Sequence, residues 1–405
     1  MAQLTDDCFA FGGKMLSLYE AQDQLSKGAK PRQDEVFCAL DALPGRILAR
    51  DAVSMRHVPP FINSAVDGFA YRAGEGPILT LSGSIVAGQA APPDTLAPQT
   101  AMRVLTGAPM PPGADTVMMD EDAVLNGDQV HIRPELKPGS NVRPQGEDMG
   151  KGEKLYAAGA RLTGLDVARL AAAGLDGAWV RRPLRIHVLS SGDEIQSGQV
   201  ADVNRWLIDT VFHGPAFDLT FGGVVPDELE ASLIALRGIN ADLILTSGGV
   251  SVGDRDHMRA AIETLGTLAF WRVGIKPGRP VAFGQIDGTP IFGLPGNPVA
   301  AYVTAQFLAL PYALSMLGHR GSSALFQGPV LKAPLATAYQ KKVGRTEFVR
   351  VHVDADGSLR PYAIAGAGLI TSLTATDALA VLGDDLHKIE PGTWVPVLPL
   401  KGLLT

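Results

Sequence analysis

Apolar and polar positions change period along this chain, and each change predicts a different kind of element. A first helix is predicted over Lys14 to Lys27, ending at Gly28. A second is predicted over about Asp34 to Leu43, where Pro44-Gly45 is a turn signal. From Val58 to Val130 short β-prone runs (Ile78–Leu81, Ala101–Leu105, Thr116–Met119, Val130–Ile132) alternate with breaks such as Pro109-Met110-Pro111-Pro112-Gly113. That alternation predicts a small β-rich module with little helix. Between Pro138 and Arg182 a further short module holds one amphipathic helix, Thr163-Gly164-Leu165-Asp166 and then Val167 to Gly174, with Gly174 as its C-cap.

From Arg185 the pattern becomes α/β. Arg185–Leu189 and Ala241–Thr246 read as buried strands, with helices around Val203–Phe212 and Asp256–Leu265. Pro280–Gly284 and Pro290–Leu294 read as a strand pair around an Asp287-Gly288 turn, followed by a long apolar helix over about Pro298–Leu317. Strands alternating with helices imply a largely parallel sheet covered on both faces, with ligands at the carboxyl ends of its strands. From Ala324 to Thr405 the chain is again β-rich, with strands expected at Pro329–Leu331, Glu347–Val353 and Thr393–Leu398. The expected fold class is therefore multidomain, α/β plus β-rich modules.

Composition narrows the function. A chain of 405 residues exceeds one domain at ~150 residues each. With 46% hydrophobic and 19% charged residues it is not mainly disordered. A formal charge of −7 argues against a general nucleic-acid binder, although it leaves room for a local basic pocket. Two cysteines, Cys8 and Cys38, make neither a disulfide framework nor a zinc site. The first residues show no basic region followed by an apolar core, so a cytoplasmic protein is expected. From Gly288 to Gly318 no residue is charged, a length that could cross a bilayer. Pro290, Pro295, Pro298 and Pro311 interrupt it, so a buried strand, loop and helix are expected, with no membrane partner.

Three loops could carry chemistry. Asp193-Glu194 follow the Arg185 strand, and carboxylates at a strand end can hold Mg²⁺ or do acid/base work; a solvated turn is the plainer alternative. Ser247-Gly248-Gly249-Val250-Ser251-Val252-Gly253-Asp254-Arg255-Asp256 follow the next strand. Their glycines let backbone N–H groups converge on an anion, but neither the P-loop nor the dinucleotide fingerprint is present. Arg272, Lys276 and Arg279 lie in a Gly/Pro-shaped loop, and three cations there suit phosphate or an oxyanion. Pro295-Gly296-Asn297-Pro298 follow the next strand. The eight histidines show no paired ligand spacing. Read alone, the loops point to a phosphorylated anion bound with Mg²⁺ by an α/β domain.

These same residues resemble the molybdopterin molybdenumtransferase family, the MoeA proteins and the gephyrin E domain. Pro59 to Ala70 resembles P-x-F-D-N-S-A-M-D-G-Y-A, Thr106-Gly107-Ala108-Pro109 with Gly113-Ala114-Asp115 resembles T-G-A-P…G-A-D, and Arg143 to Asp148 resembles R-x-x-G-E-D. Gly192-Asp193-Glu194, Asp202-Val203-Asn204, Ser247 to Gly253, Lys276 to Pro280, Gly293 to Pro298, Gly344-Arg345 and Glu347-Phe348-Val349-Arg350 follow in family order. The resemblance implies an elongated homodimer with a three-layer molybdopterin-binding α/β domain. It implies Mg²⁺-dependent insertion of molybdenum from molybdate into adenylylated molybdopterin, with release of AMP. The adenylyltransferase and apo-molybdoenzymes are the protein partners it implies; nucleic acid is not among them.

Carried over residue by residue, the resemblance implies catalytic roles for Asp67, Glu194, Asp227 and Asp256. It implies substrate contacts for Thr106, Asp148, Asn204, Ser247, Gly248, Gly249, Ser251, Gly253, Arg272, Lys276, Arg279, Pro295, Asn297, Pro298 and Arg350. Asp193, Glu194 and Asp256 are the implied Mg²⁺ ligands. The implied domains are 1–26, an N-terminal helix on the α/β domain; 27–53 with 141–182, a linker domain; 54–140, β-rich; 183–323, α/β; and 324–405, barrel-like. The sequence departs from the family at Ile62, where an Asp is usual, at Val66, Phe69, Ala201 and Arg279, in a shortened loop after Glu194, and at Ala367, where a hydroxyl is common. Two other readings stand beside the insertion reaction: adenylylation of molybdopterin, against which the small β-rich modules speak, and a non-catalytic binding or scaffold protein.

Overall fold

The structure is a computed structural model and describes residues 15–132, 136–250, 257–319, 330–364 and 366–401. Its central body is a six-stranded sheet in the spatial order Phe217–Val225, Leu184–Ser191, Leu243–Ser247, Thr289–Leu294, Pro280–Ile286, Gly266–Arg272. The first four strands are parallel to one another and the last two are paired antiparallel. Every residue of Leu243–Ser247 is buried, as a parallel strand covered on both faces requires. Alternate residues point to opposite faces: Leu243, Leu245, Phe292 and Leu294 join one core, and Ile244 and Ile291 the other. Helices Leu18–Gly28, Val203–Val211 and Pro298–Met316 cover the first face; Leu229–Leu236 and His257–Leu265 cover the second.

The long apolar helix is a core element: 89% of its apolar stretch is buried. Its middle turn, Ala305–Ala309, is a π-helix directly before Pro311. Pro311 has no N–H for the Phe307 carbonyl one turn back, and the wider turn eases the clash of its ring. Gln22 Nε2 donates to that carbonyl at 2.8 Å, which ties the N-terminal helix to the core. That N-terminal helix begins later than expected, at Leu18, where Ser17 and Glu20 form a reciprocal capping box.

The second expected helix is a strand instead. Glu35–Ala39 pairs antiparallel with Gly177–Arg181, and only Leu40–Ala42 turns as a 3₁₀ segment. Val36, Phe37 and Cys38 suit a pleated surface, and the distant partner strand overrides the local tendency. Around this pair, Leu43, Leu48, Met149, Leu155, Leu162, Leu170 and Val180 make a separate small core. The helix Gly164–Ala172 there has its Thr163/Asp166 capping box and Gly174 at φ +85°. The β-rich segment forms a second six-stranded sheet, in which Thr116–Met119, Gly68–Tyr71 and Thr100–Val104 are neighbours.

Three elements of the α/β body were not anticipated: Phe217–Val225, Leu229–Leu236 and Gly266–Arg272. The first carries Gly222-Gly223, a pair that weakens the local signal for a strand. A Cβ on Gly222 would lie 2.2 Å from His187 Nε2, so the glycine lets two strands approach closely. In the C-terminal module one sheet holds Leu331–Pro334, Thr346–Val353, Leu359–Pro361, Ala378–Leu382 and Trp394–Pro399, and Tyr339–Gln340 pairs separately with Lys388–Ile389. The expected strand start at Pro329 lies outside the described residues. Ile275–Lys276 of the central body adds to this sheet, parallel to Thr346-Glu347. Phe348 stacks on Phe307 with ring centroids 4.3 Å apart, so the module and the body share one core.

Candidate active site

The parallel strands end at Val225, Ser191, Ser247 and Leu294, and the loops after them gather along one edge of the sheet. From Leu184–Ser191 the chain crosses to one neighbour, and after Leu243–Ser247 it leaves toward the opposite side. The crevice between these two strands is therefore a topological switch point, where α/β sheets place ligands. The topology also brings the cations here. Gly266–Arg272 is antiparallel to a strand that is itself antiparallel to Thr289–Leu294, so Arg272 finishes at the same edge as Leu294.

Asp193 and Glu194 open a short helix after Gly192, and both are exposed. Asp227 enters from the next loop: its N–H donates to Asp193 Oδ1 at 3.0 Å, and Ser191 Oγ donates to its own Oδ1 at 2.9 Å. Glu194 curls back over the turn, since a Cβ on Gly192 would meet its Oε1 at 2.9 Å. Asp193, Glu194 and Asp227 thus stand in two adjoining loops at one end of the crevice. Among the described residues no group of three His, Cys, Asp or Glu is close enough to enclose a metal by itself. Ser251, Gly253 and Asp256 lie outside the described residues.

Gly248 and Gly249 have φ of +92° and +66°, and a Cβ on Gly248 would lie 2.4 Å from the Ser191 carbonyl oxygen. Only glycine fits this turn, which lays backbone along the crevice. Gly248 N–H donates to Leu294 O at 3.0 Å, fixing this loop against the one carrying Pro295, Asn297 and Pro298. Asn297 is exposed, whereas Ser247 and Asn204 are buried beneath it. Asn204 Nδ2 donates to Ser247 Oγ and to Gly296 O, each at 2.7 Å.

Lys276 and Glu347 are register partners across the edge that joins body and C-terminal module. The Lys276 ammonium lies 3.2 Å from Glu347 Oε2, with side-chain exposures of 52% and 3%. Tyr339 OH donates to the same oxygen at 3.3 Å, and Arg345 Nε lies 3.5 Å from Oε1. Burial first, then the Glu347 charge and hydrogen bond, push the Tyr339 phenol up to about 12. Arg350 is buried and donates to Gly366 O at 3.2 Å; burial holds its pKa below the ordinary arginine value. Ala367 O accepts from Val299 N–H at 3.0 Å, so the 366–368 loop lies over the start of the long helix.

Asp67 and Thr106 form a pair elsewhere. The Thr106 hydroxyl and backbone N–H donate to Asp67 Oδ1 at 2.7 and 2.6 Å, and these bonds hold the Asp67 carboxyl below its ordinary range. Asp148 is exposed in the segment that returns to Val58. The hydrogen bonds found for Asp67, Thr106 and Asp148 stay within residues 58–150 and do not reach the crevice. Glu347 entered the sequence reading only as part of a motif. The signal available was a charged residue at an inward position of an otherwise apolar strand, which demands a cation opposite.

Comparison with known proteins covers almost all of this architecture. Residues 16–174 match the MoeA N-terminal region (domain I and II), residues 187–315 the probable molybdopterin binding domain, and residues 332–400 the MoeA C-terminal region (domain IV). The chain is 34% identical to a molybdopterin molybdenumtransferase of Haemophilus influenzae, over 96% of this chain and 100% of that protein. It is 36% identical to one of Nostoc, over 91% and 89%. Among solved structures, the molybdopterin biosynthesis moeA protein of Pyrococcus horikoshii superposes with a TM-score of 0.80 at 26% identity, over 95% of this chain and 99% of that one.

Proposed function

The chain belongs to the molybdopterin molybdenumtransferase (MoeA) family, a transferase family of molybdenum cofactor biosynthesis, and from that premise we propose its reaction. It moves molybdenum from molybdate onto the dithiolene of adenylylated molybdopterin, and the pyrophosphate link breaks so that AMP leaves. The observation that carries this reading is the meeting of Asp193, Glu194 and Asp227, the Gly248-Gly249 turn and the 272–280 cation loop along one sheet edge. An adenylylated pterin pairs a polyanion with a planar heterocycle, and such an edge suits both.

Lys276, Arg272 and Arg279 would neutralise pyrophosphate and molybdate, and the Gly248-Gly249 backbone would line the phosphate or pterin. Arg350, behind the 366–368 loop, would add a buried positive charge. The acids suit Mg²⁺, which takes hard oxygen ligands and completes its octahedron with phosphate oxygens and water. Asp193 and Glu194 would hold it, with Asp256 as the expected third ligand; bound there it would stabilise charge on the leaving phosphate. Asp227, held by Ser191, would orient the attacking oxygen.

Among the described residues, the hydrogen bonds of Asp67, Thr106 and Asp148 stay within residues 58–150. We therefore propose a homodimer in which those residues close the crevice of a second copy. The domain limits read from the sequence, a cytoplasmic location, and contacts with the adenylyltransferase and apo-molybdoenzymes belong to the same proposal.

The test is AMP release from adenylylated molybdopterin with and without molybdate and Mg²⁺, coupled to activation of an apo-molybdoenzyme. Release that needs both ions and is lost in Glu194→Ala and Asp256→Ala is the expected result. Tight binding without release would replace the reading by a carrier or scaffold role. ATP-dependent adenylylation of molybdopterin would replace it by the preceding step.

A further inference from the structure

Asn204 is the second residue of the helix Val203–Val211, and the start of that helix is fixed from both sides. Asp202 Oδ1 accepts from Arg205 N–H at 3.2 Å, and its Oδ2 accepts from Ser190 Oγ at 2.6 Å. The helix start is thereby pinned to the end of the Leu184–Ser191 strand. From that anchor Asn204 reaches under the crevice, and its two amide hydrogens go to two different loops, at Ser247 Oγ and Gly296 O. Two strand ends meet at the Asn204 side chain, and Asp202 ties the same helix start to a third.

Asn204 is 3% exposed, and its Oδ1 is buried with no hydrogen-bond partner among the described residues. A buried acceptor left unpaired is unfavourable, and such a group calls for an explanation in function or strain. Its donors supply one. The loops they join carry the backbone proposed to line the substrate, and at Gly248 and Gly249, the most flexible residue type, the Asn204 bonds add to the Gly248 N–H bond to Leu294 O in holding the turn.

We propose that Asn204 is a positioning residue, which ties the Ser247–Gly249 loop to the Gly296-Asn297 loop and sets the width of the crevice before substrate arrives. It touches no reacting atom. Pre-organisation of this kind lowers the ordering cost of binding, so its loss appears in KM more than in kcat. The inference deepens the proposed function and rests on it for the identity of the substrate.

The experiment uses the full chain and the variants Asn204→Ala, Asn204→Asp, Ser247→Ala and the double variant Asn204→Ala/Ser247→Ala. Two readouts are taken: amide hydrogen exchange of the ligand-free protein, and KM and kcat for AMP release from adenylylated molybdopterin. Asn204→Ala is expected to speed exchange at residues 247–249 and at Gly296 and Asn297 by about tenfold relative to the strand interiors. It is expected to raise KM about tenfold with kcat within about twofold. Asn204→Asp keeps the shape and removes both donors, so it should be no better than Ala. The double variant should be no worse than Asn204→Ala, because Ser247 acts here through Asn204.

Unchanged exchange in the two loops, a wild-type-like Asn204→Asp, or a fall in kcat at constant KM would each overturn the proposal. If Asn204→Ala does not fold, Ser247→Ala must still loosen its own loop, and failure to do so overturns it. A wild-type protein that releases no AMP would sink the function proposed above, while the exchange result judges Asn204 independently.

Discussion

Asp242 sits at the start of its strand, on the sheet edge opposite the crevice, and its side chain is 2% exposed. Arg185 Nη2 donates to Oδ1 at 2.9 Å and the Arg185 backbone N–H to Oδ2 at 2.9 Å; Arg32 also pairs with Oδ1, and Arg182 approaches Oδ2 at 3.9 Å. Replacing it by Asn keeps the size, removes the charge, and turns an amide donor toward the guanidinium groups. An exposed ion pair contributes about 0–1 kcal/mol and loss of one partner of a buried pair costs about 3–5. Here the carboxylate is buried while the arginine side chains retain 27–37% exposure and can return to water, so the loss lies between those limits. We expect about 2–3 kcal/mol for Asp242→Asn. At this chain size, with an unfolding entropy of ~2.1 cal/mol/K per residue, that is a melting shift of roughly 2–4 °C.

The pH dependence gives the sharper test. Burial by itself would raise the Asp242 carboxyl, but the Arg185 hydrogen bonds and the neighbouring charges outweigh it and hold the group below its ordinary range. A depressed folded value means stability that is present above the unfolded pKa of about 3.9 and lost as pH falls through the folded value. The gap between wild type and Asp242→Asn, followed by urea midpoints across pH, should be widest near neutrality and close below about pH 4. A gap under about 0.5 kcal/mol at neutral pH, or one that widens in acid, would refute the reasoning.

Three further outcomes are expected. Gln22→Ala leaves the Phe307 carbonyl without the Gln22 amide and should lower stability by about 1–3 kcal/mol, read from the urea midpoint; an unchanged midpoint would mean another group fully replaces that bond. Gly249→Ala puts a Cβ 2.9 Å from Met258 Cβ at φ +66° and should cost about 2–4 kcal/mol and weaken substrate binding, measured by melting and titration; no change in either would show that the turn adapts freely. Glu347→Gln should lower the Tyr339 pKa from about 12 while leaving it above the ordinary phenol value, because burial, the largest cause, remains. Tyrosinate absorbance, assigned with a Tyr339→Phe control, reads this, and an unmoved titration would remove Glu347 as a cause.

Particular elements show how far local chemistry reaches. The continuous apolar run ending at Ser247, the Asp287-Gly288 turn between two strands, and the long helix from Pro298 were readable because each is written in neighbouring residues. Phe217–Val225 was missed because Gly222-Gly223, which weakens the strand signal locally, serves a close approach to His187 instead. The acids, glycines and cations of the crevice were readable as residue types suited to a polyanion. The strand path that brings Arg272 round to the level of Leu294 was not.

Most kinds of element, the loops whose residue types suit an anion, and the family likeness were legible along the chain. Tertiary structure decided that residues 35–39 form a strand, that Glu347 faces Lys276, that Asp67 pairs with Thr106, and that Asn204 bonds to Ser247 and Gly296. The physical reason is range. Helical and strand periods, caps and turns act over a few residues, so they can be read along the chain. The partners of Asn204 lie 43 and 92 residues away, and only the topology of the sheet brings those groups within a hydrogen bond of one another.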